Sequence, residues 1–244
     1  MQKVCVVIPC FNEQDRLPIN DFIEFYKKND IHFLFVNDGS TDNTLSILNQ
    51  LQLGREERIK VLNLETNQGK SEAVRLGICK AKSFNLFEII GYMDADLATP
   101  LYEVNYLIQK IRGEITFVFG SRVKRIGAII SRKWYRHVTG RIFATIASTL
   151  LGIGVYDTQC GAKFFSSEII DPIFSVKFST KWIFDLEIFI RFINLNKEKD
   201  INNTAFEYPL SYWQDVSGSK IRIKHLILVP IELLKLRRQR KKLF

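Results

Sequence analysis

The feature that most constrains this chain is a rhythm in its first 120 residues. Short runs rich in β-branched and aromatic residues, "KVCVVIP", "HFLFVND", "RIKVLNL", "FEIIGYMD" and "ITFVFGS", are separated by "LPINDFIEFYKKN", "TDNTLSILNQL", "GKSEAVRLGICKAKS" and "LYEVNYLIQKIR". The separating segments repeat their apolar residues every three or four positions, the spacing of a helix with one buried face. In "TDNTLSILNQL", Leu45, Leu48 and Leu51 follow that spacing, and Ser40 or Thr41 is expected to cap the helix. Strands alternating with helices require crossover connections. The prediction is therefore an α/β fold with a mostly parallel central sheet, covered by helices on both faces.

Beyond residue 120 the alternation breaks. A basic stretch, "SRVKRIGAIISRKWYR", leads into an apolar helix, followed by "DTQCGAKFFS", a helical "KWIFDLEIFIRFINLN", a short strand "AFEYPL" and a final helix. No Pro/Gly/Ser linker and no internal repeat divides the chain. The expectation is one domain over residues 1–244 with an elaborated helical C-terminal third, divided into 1–120, 121–225 and 226–244.

Composition sets outer bounds. A hydrophobic share of 46% with 25% charged residues is that of a folded protein and excludes a disordered chain. The four cysteines show no CxxC spacing and the three histidines no HExxH, which argues against a thiolate zinc site and for a reducing, cytoplasmic setting. The formal net charge of +9 falls to +3 without Lys235, Arg237, Arg238, Arg240, Lys241 and Lys242 of the tail "KLRRQRKKLF", so the basic balance speaks of a membrane surface at the tail and not of nucleic acid. No apolar run reaches the roughly 18 residues of a membrane span. The segment from Trp134 to Val155 is a candidate to dip into a membrane interface.

Three polar clusters, "PCFNE", "NDGSTD" and "DAD", each follow directly on a predicted strand. In open α/β sheets ligands bind beyond the carboxyl ends of the strands, so the three are expected to share one rim. Asp94 and Asp96 stand one residue apart at the end of an apolar run; on an extended backbone they would point to the same side. Paired carboxylates of this kind suit Mg²⁺ or Mn²⁺ held against phosphates. Gly39 and Gly69 read as backbone-geometry glycines. Cys160 has no histidine near it in sequence and reads as a packed thiol. Asp185 and Glu187, two apart on a helix, cannot share a face, so at most one lines the site.

"VVIPCFNE", "VNDGSTDNT", "NQGKSEAVRLG", "DADLATP" and "GSR" resemble the nucleotide-sugar-binding domain of the family 2 glycosyltransferases, whose fold is GT-A, a Rossmann-like arrangement. "DTQCGAKFF", "WIFDLEI" and "GSK" resemble the dolichyl-phosphate and polyprenyl-phosphate glucosyltransferase branch. The resemblance implies an inverting transfer of a hexose, glucose, from a nucleoside-diphosphate sugar such as UDP-glucose to a polyprenyl phosphate. It implies that Pro9, Phe11, Glu13, Asp38, Lys70, Asp94, Ala95, Asp96 and Lys220 bind the donor. Asp94 and Asp96 would hold the metal; they, Arg122 and Arg136 would be catalytic; Arg122, Arg132, Arg136, Asp157 and Gln159 would meet the acceptor. Related mannosyltransferases carry "DADLQ", whose glutamine adds a ligand; here that position is Ala98. "SGSK" resembles a lid, with Lys220 and Arg222 closing on the diphosphate. A lipid phosphate is already anionic and needs no general base. The implied setting is the cytoplasmic face of a membrane, with peripheral attachment through the basic tail. Two alternatives remain: transfer to a glycan on the same fold, and a non-catalytic membrane-binding module.

Overall fold

The structure is a computed structural model that describes residues 2–132, 134–216 and 229–243. Its first half realises the predicted rhythm: β1 (Val4–Cys10), α1 (Ile19–Lys28), β2 (Ile31–Asp38), α2 (Thr44–Gln52), β3 (Ile59–Leu64), α3 (Lys70–Ser83), β4 (Ile89–Met93), α4 (Tyr102–Ile108) and β5 (Phe117–Ser121). Then follow β6 (Ile129–Ser131), α5 (Trp134–Leu151), β7 (Ala162–Ser166), a 3-10 turn and α6 (Ile170–Phe174). The chain continues with α7 (Phe184–Leu195), α8 (Ile201–Thr204), β8 (Ala205–Pro209), β9 (Tyr212–Gln214) and α9 (Val229–Leu243).

Seven strands form the central sheet in the order β3-β2-β1-β4-β7-β5-β8, and β6 pairs with β9 in a small second sheet. Every pairing in the main sheet is parallel except the two made by β7, which runs against β4 and β5. That reversal was not legible as a strand in "DTQCGAKFFS". It matters because β7 brings its amino end, not its carboxyl end, to the functional rim, with Ala162 opposite Met93.

Alternation along buried strands feeds two cores. Val4, Val6 and Ile8 of β1 pack with Phe22, Phe25, Phe33, Phe35, Leu48 and Leu107 on one face of the sheet. Cys5 and Val7 point the other way, into a core with Val74, Ile78, Phe117, Phe165, Phe184 and Phe189. The aromatic rings there meet edge-on and offset, as with Phe117 against Phe165 at 4.8 Å and against Phe189 at 5.1 Å.

The start of α2 differs from expectation. Neither Ser40 nor Thr41 caps it: the N-cap position is Asn43, without a side-chain cap bond, and Asp42 Oδ1 accepts from Thr44 N at 3.0 Å. Ser40 Oγ accepts from Asn12 N at 3.0 Å and Thr41 N donates to Asn12 Oδ1 at 2.9 Å, so these two bind the first loop instead. The helix α4 begins at Tyr102 and carries no side-chain cap bond.

Candidate active site

The carboxyl ends of β1, β2, β4 and β5, with the amino end of β7, deliver their polar segments to one rim. Asp38 at the end of β2 is buried, and its carboxylate accepts from Gln68 N at 2.6 Å and Gly69 N at 2.9 Å. It thereby shapes the loop that leads into α3. Burial raises its pKa above the ordinary carboxylate range, and the two amide donors oppose that rise. Gly39 beside it has φ +61°, and a Cβ there would stand 2.4 Å from Asn67 N, so only glycine fits.

Lys70, the first residue of α3, reaches Asp94 Oδ1 at 2.5 Å. Burial disfavours its charge, but the carboxylates of Asp94, Asp185 and Asp96 outweigh that and raise its pKa. Asp96 meets a second cation that the sequence did not announce: Arg16 Nη2 lies 3.3 Å from Asp96 Oδ2 and its Nε 3.6 Å from Glu13 Oε2. Arg16 thus ties the "PCFNE" loop to the aspartate pair across 80 positions of sequence.

The aspartate pair converges differently from the prediction. β4 ends at Met93, and residues 94–98 form a turn rather than extended backbone. Leu97 adopts φ 49°, in the left-handed region that costs a branched residue about 1–2 kcal/mol. The turn lets Asp96 Oδ1 accept from Ala98 N at 3.2 Å. Burial first, and then the neighbouring charge of Asp94, raise the pKa of Asp96. Two hard oxygen donors concentrating negative charge in one place fit a divalent cation of the Mg²⁺ or Mn²⁺ kind. Such ions take one or two carboxylates and complete their shell with phosphate oxygens and water. No group of three or more Asp, Glu, His or Cys side chains placed to hold a metal ion occurs among the described residues. Asp94 and Asp96 are the carboxylates this turn could offer such an ion, and Ala98 has no side-chain donor.

Gly161 sits directly behind Asp94. Asp94 N donates to Gly161 O at 3.1 Å, and a Cβ on Gly161 would stand 2.0 Å from Asp94 Oδ2. Below it, Lys163 of β7 is fully buried and pairs with Asp185 Oδ1 at 2.5 Å, while its Nζ also donates to Cys160 O at 2.7 Å. Tyr92 O–H donates to the same Asp185 oxygen. Glu187 is occupied elsewhere, accepting from Ser179 N at 2.9 Å and Thr180 N at 3.1 Å and pairing with Arg191 at 2.8 Å. Of the two acids in "FDLEI", only Asp185 therefore neighbours the site. Cys160 is a buried thiol, its pKa pushed up to about 11 by burial, as its reading as a packing residue requires.

On the far side of the aspartates, Arg122 leaves β5 and is clamped by Asp157, Nε to Oδ2 at 2.6 Å and Nη2 to Oδ1 at 2.8 Å. Burial alone would raise the pKa of Asp157; the Arg122 charge and its hydrogen bonds bring it below the ordinary range. Glu207 of β8 holds the loop in turn, accepting from Asp157 N at 2.9 Å and from Tyr156 N. The Arg122 and Arg132 guanidinium carbons lie 5.3 and 5.6 Å from the Trp213 ring centre, within cation–π range. Gln159 donates its backbone N–H to Asp157 Oδ1 and its side-chain amide to Thr158 Oγ1, ordering the loop. The structure thus brings together Glu13, Asp38, Lys70, Asp94 and Asp96 on one side, and Arg122, Arg132, Asp157 and Gln159 on the other. Pro9 lies within β1 in register with Val36, Phe11 in the loop after it, and Ala95 is buried between the aspartates. Lys220, Arg222 and the side chain of Arg136 lie outside the described residues.

With this geometry in view, the comparisons are specific. The sequence model of "Glycosyl transferase family 2" matches residues 5–174. This chain belongs to glycosyl transferase family 2. Dolichyl-phosphate beta-glucosyltransferase of Dictyostelium discoideum is 30% identical over 88% of this chain and 68% of its own length. The Saccharomyces cerevisiae enzyme of the same name is 33% identical over 89% of this chain and 69% of its own. Glucosyl-3-phosphoglycerate synthase of Mycobacterium tuberculosis, solved with Mn²⁺ and UDP-glucose, superposes with a TM-score of 0.67 at 17% identity, covering 98% of this chain and 79% of that one. That likeness shows the GT-A fold shared by the two. Arg16, Gly161, Lys163, Glu207 and Trp213 were not singled out by sequence reasoning. Only Lys163 left a trace there, as a lone charge in the apolar run "GAKFF".

Proposed function

We propose that this chain is an inverting, metal-dependent hexosyltransferase that moves glucose from UDP-glucose to a polyprenyl phosphate. The observation that carries the reading is the opposition at one rim of a half-buried aspartate pair and a half-buried, clamped arginine, with the charge of Asp94 acting on Arg122. One half suits a cation and a diphosphate, the other a second phosphate.

In this reading Pro9, Phe11, Glu13 and Asp38 cradle the base and ribose, and Lys70, Ala95 and Lys220 complete the donor site. Asp94 and Asp96 hold Mg²⁺ or Mn²⁺, with Asp96 the direct ligand and Asp94 shared with the ribose. Bound there, the ion offsets the charge of the departing diphosphate. Arg122, Arg132 and Arg136 receive the acceptor phosphate, while Asp157 and Gln159 fix the wall behind it. Asp157 occupies the Nε–Nη2 edge of the Arg122 guanidinium, which aims its remaining N–H groups. A phosphate oxygen of the acceptor attacks the anomeric carbon as the bond to the diphosphate breaks; UDP leaves with the electron pair and the configuration inverts. The attacking oxygen carries no proton, so no base is required. Asp185 fits this: it is bound to Lys163 and Tyr92 rather than presented as a base. Catalysis comes from positioning two phosphates in line.

The setting we propose is the cytoplasmic face of a membrane, with the basic tail aiding peripheral attachment. No helix among the described residues is long and apolar enough to cross a membrane. The deciding experiment gives the purified chain a panel of nucleotide sugars with Mn²⁺ or Mg²⁺ and a short polyprenyl phosphate. A lipid-linked glucose, formed from UDP-glucose and abolished by chelation, is the expected product. Failure to form any lipid-linked sugar across the panel overturns the reading.

A further inference from the structure

The helix α5 is two-faced in an unusual way. Ala144, Ala147 and Leu151 are buried against the body. On the opposite face Trp134, Val138, Ile142 and Ile146 follow one another at four-residue intervals and stand 78%, 48%, 58% and 43% exposed. Residues spaced by four share a helix face, so these form one continuous apolar ridge. A helix that faces water ordinarily carries charge on its outer face. Here the ridge is flanked by Thr145, Thr149 and Arg141, all exposed.

The segment that carries this ridge has charge of a single sign. Between Glu114 and Asp157 the chain carries seven Lys and Arg residues and no Asp or Glu. The segment before α5 adds fully exposed Ile126 and, at the start of β6, exposed Ile129, with Lys124 and Arg125 preceding them. A protein partner of ordinary composition offers nothing that selects so one-sided a surface. An anionic bilayer does, because it takes apolar side chains below its headgroups and holds lysine and arginine at their level. The same segment begins with Arg122 and contains Arg132, both at the Trp213 ring of the site. The ridge and the phosphate-binding arginines are therefore continuous along one stretch of chain.

We infer that the outer face of α5 and the basic loop before it form the membrane-seating surface of this protein. The helix lies in the plane of an anionic bilayer, so that a phosphate at headgroup level meets Arg122 and Arg132 without leaving the membrane. The inference deepens the reading of a lipid-phosphate acceptor and rests on it for the purpose of the seat, though not for its existence. It also moves the principal contact away from the C-terminal tail. The tail helix is itself docked on the body: Leu236 is buried, Lys235 Nζ donates to Ser179 O at 2.7 Å, and Glu232 accepts from Lys181 N, Trp182 N and Ile183 N.

The test uses the full chain and vesicles of phosphatidylcholine, alone or with roughly one-third phosphatidylglycerol. Cosedimentation is expected with the anionic vesicles and to weaken with salt. The double variant Ile142→Asp/Ile146→Asp, altered only at exposed positions, keeps its circular dichroism and thermal melt and loses about tenfold or more in partitioning. Brominated lipids quench the wild-type tryptophan fluorescence, and Trp134→Phe removes most of that quenching. Wild-type protein that ignores anionic vesicles overturns the inference, as does equal partitioning of the double variant. Sedimentation showing that the double variant splits a dimer, with vesicle binding unchanged, overturns it in favour of a second copy of this chain. Transfer to a short polyprenyl phosphate in detergent separates the two readings. Activity there in both proteins leaves the acceptor reading intact whatever the vesicles show. Absence of transfer in both counts against the acceptor while the vesicle data still judge the surface.

Discussion

Asp96 and Asp157 are both half-buried carboxylates at the same rim, and their environments push their pKa values in opposite directions. Asp96 is raised, because burial and the charge of Asp94 outweigh its contacts with Ala98 N, Lys70 and Arg16. Asp157 is lowered, because a bidentate guanidinium outweighs its burial. The side of Asp96 is thus a concentration of negative charge contacted by two cations, Lys70 at Asp94 and Arg16 at Asp96. The side of Asp157 is a positive group already matched to its counter-ion. Asp157 belongs to the structure that aims Arg122, whereas Asp96 holds charge that the fold by itself does not stabilise. That is the expected signature of a group kept for a ligand.

Linkage makes the contrast measurable. The stabilisation from Asp157 is present above the ordinary carboxylate pKa and is lost as pH falls through its lowered folded value. Asp96 behaves in the reverse sense: its contribution is present below the ordinary value and is lost as pH rises through its raised folded value. At neutral pH, ionised Asp96 therefore weakens the fold slightly while Asp157 strengthens it.

The largest expected effect is on the acceptor side. Asp157→Ala leaves Arg122 buried without its counter-ion and should cost about 3–5 kcal/mol in urea denaturation. A loss under about 1 kcal/mol would mean that the clamp is not structural. Next is Asp96→Asn, for which transfer should fall roughly 10²- to 10³-fold. The same variant should melt no lower than wild type at neutral pH; a lowered melting temperature would erase the contrast drawn above. Gly161→Ala comes third. Its methyl group displaces the Asp94 carboxylate, and a shift of about 1 Å at a positioned group lowers kcat by about 10²-fold. Full activity in that variant would show that Asp94 tolerates displacement. Lys70→Gln removes a cation that lowers the Asp96 pKa, so the acid limb of the pH–rate profile should move to higher pH. An acid limb that stays in place removes Asp96 as its source. The smallest change is Glu232→Gln, which weakens the acceptor for three amides of the 181–183 loop and should cost about 1 kcal/mol in stability with transfer unaltered.

Much of this site could be read before the fold was known. "PCFNE", "NDGSTD" and "DAD" each follow a strand-like run, and parallel strands send such ends to one rim, which is where Asp38, Asp94 and Asp96 stand. Arg122 enters as a candidate from the resemblance in "GSR". Arg16 was not, because its meaning lies in an ion pair with a residue 80 positions away. Gly161 was passed over because "QCGAK" carries no turn signature. Its function comes from β7 running antiparallel beside β4, which sets Gly161 against Asp94. Ser40 and Thr41 do not cap α2 because both are bound to Asn12 of the first loop.

The sequence by itself determined the alternation of strands and helices, the two cores implied by it, and the polar segments at the strand ends. All of these depend on near neighbours, through a period of two or of 3.6 residues or through the composition of a turn. Only the tertiary structure decided which charges meet. The reversed strand β7, the Lys163–Asp185 pair beneath the aspartates and the seat of Arg122 on Asp157 and Trp213 each join segments distant in the chain. Such pairings leave little local pattern, because burial and charge compensation act through space and are settled only when the sheet has closed around them.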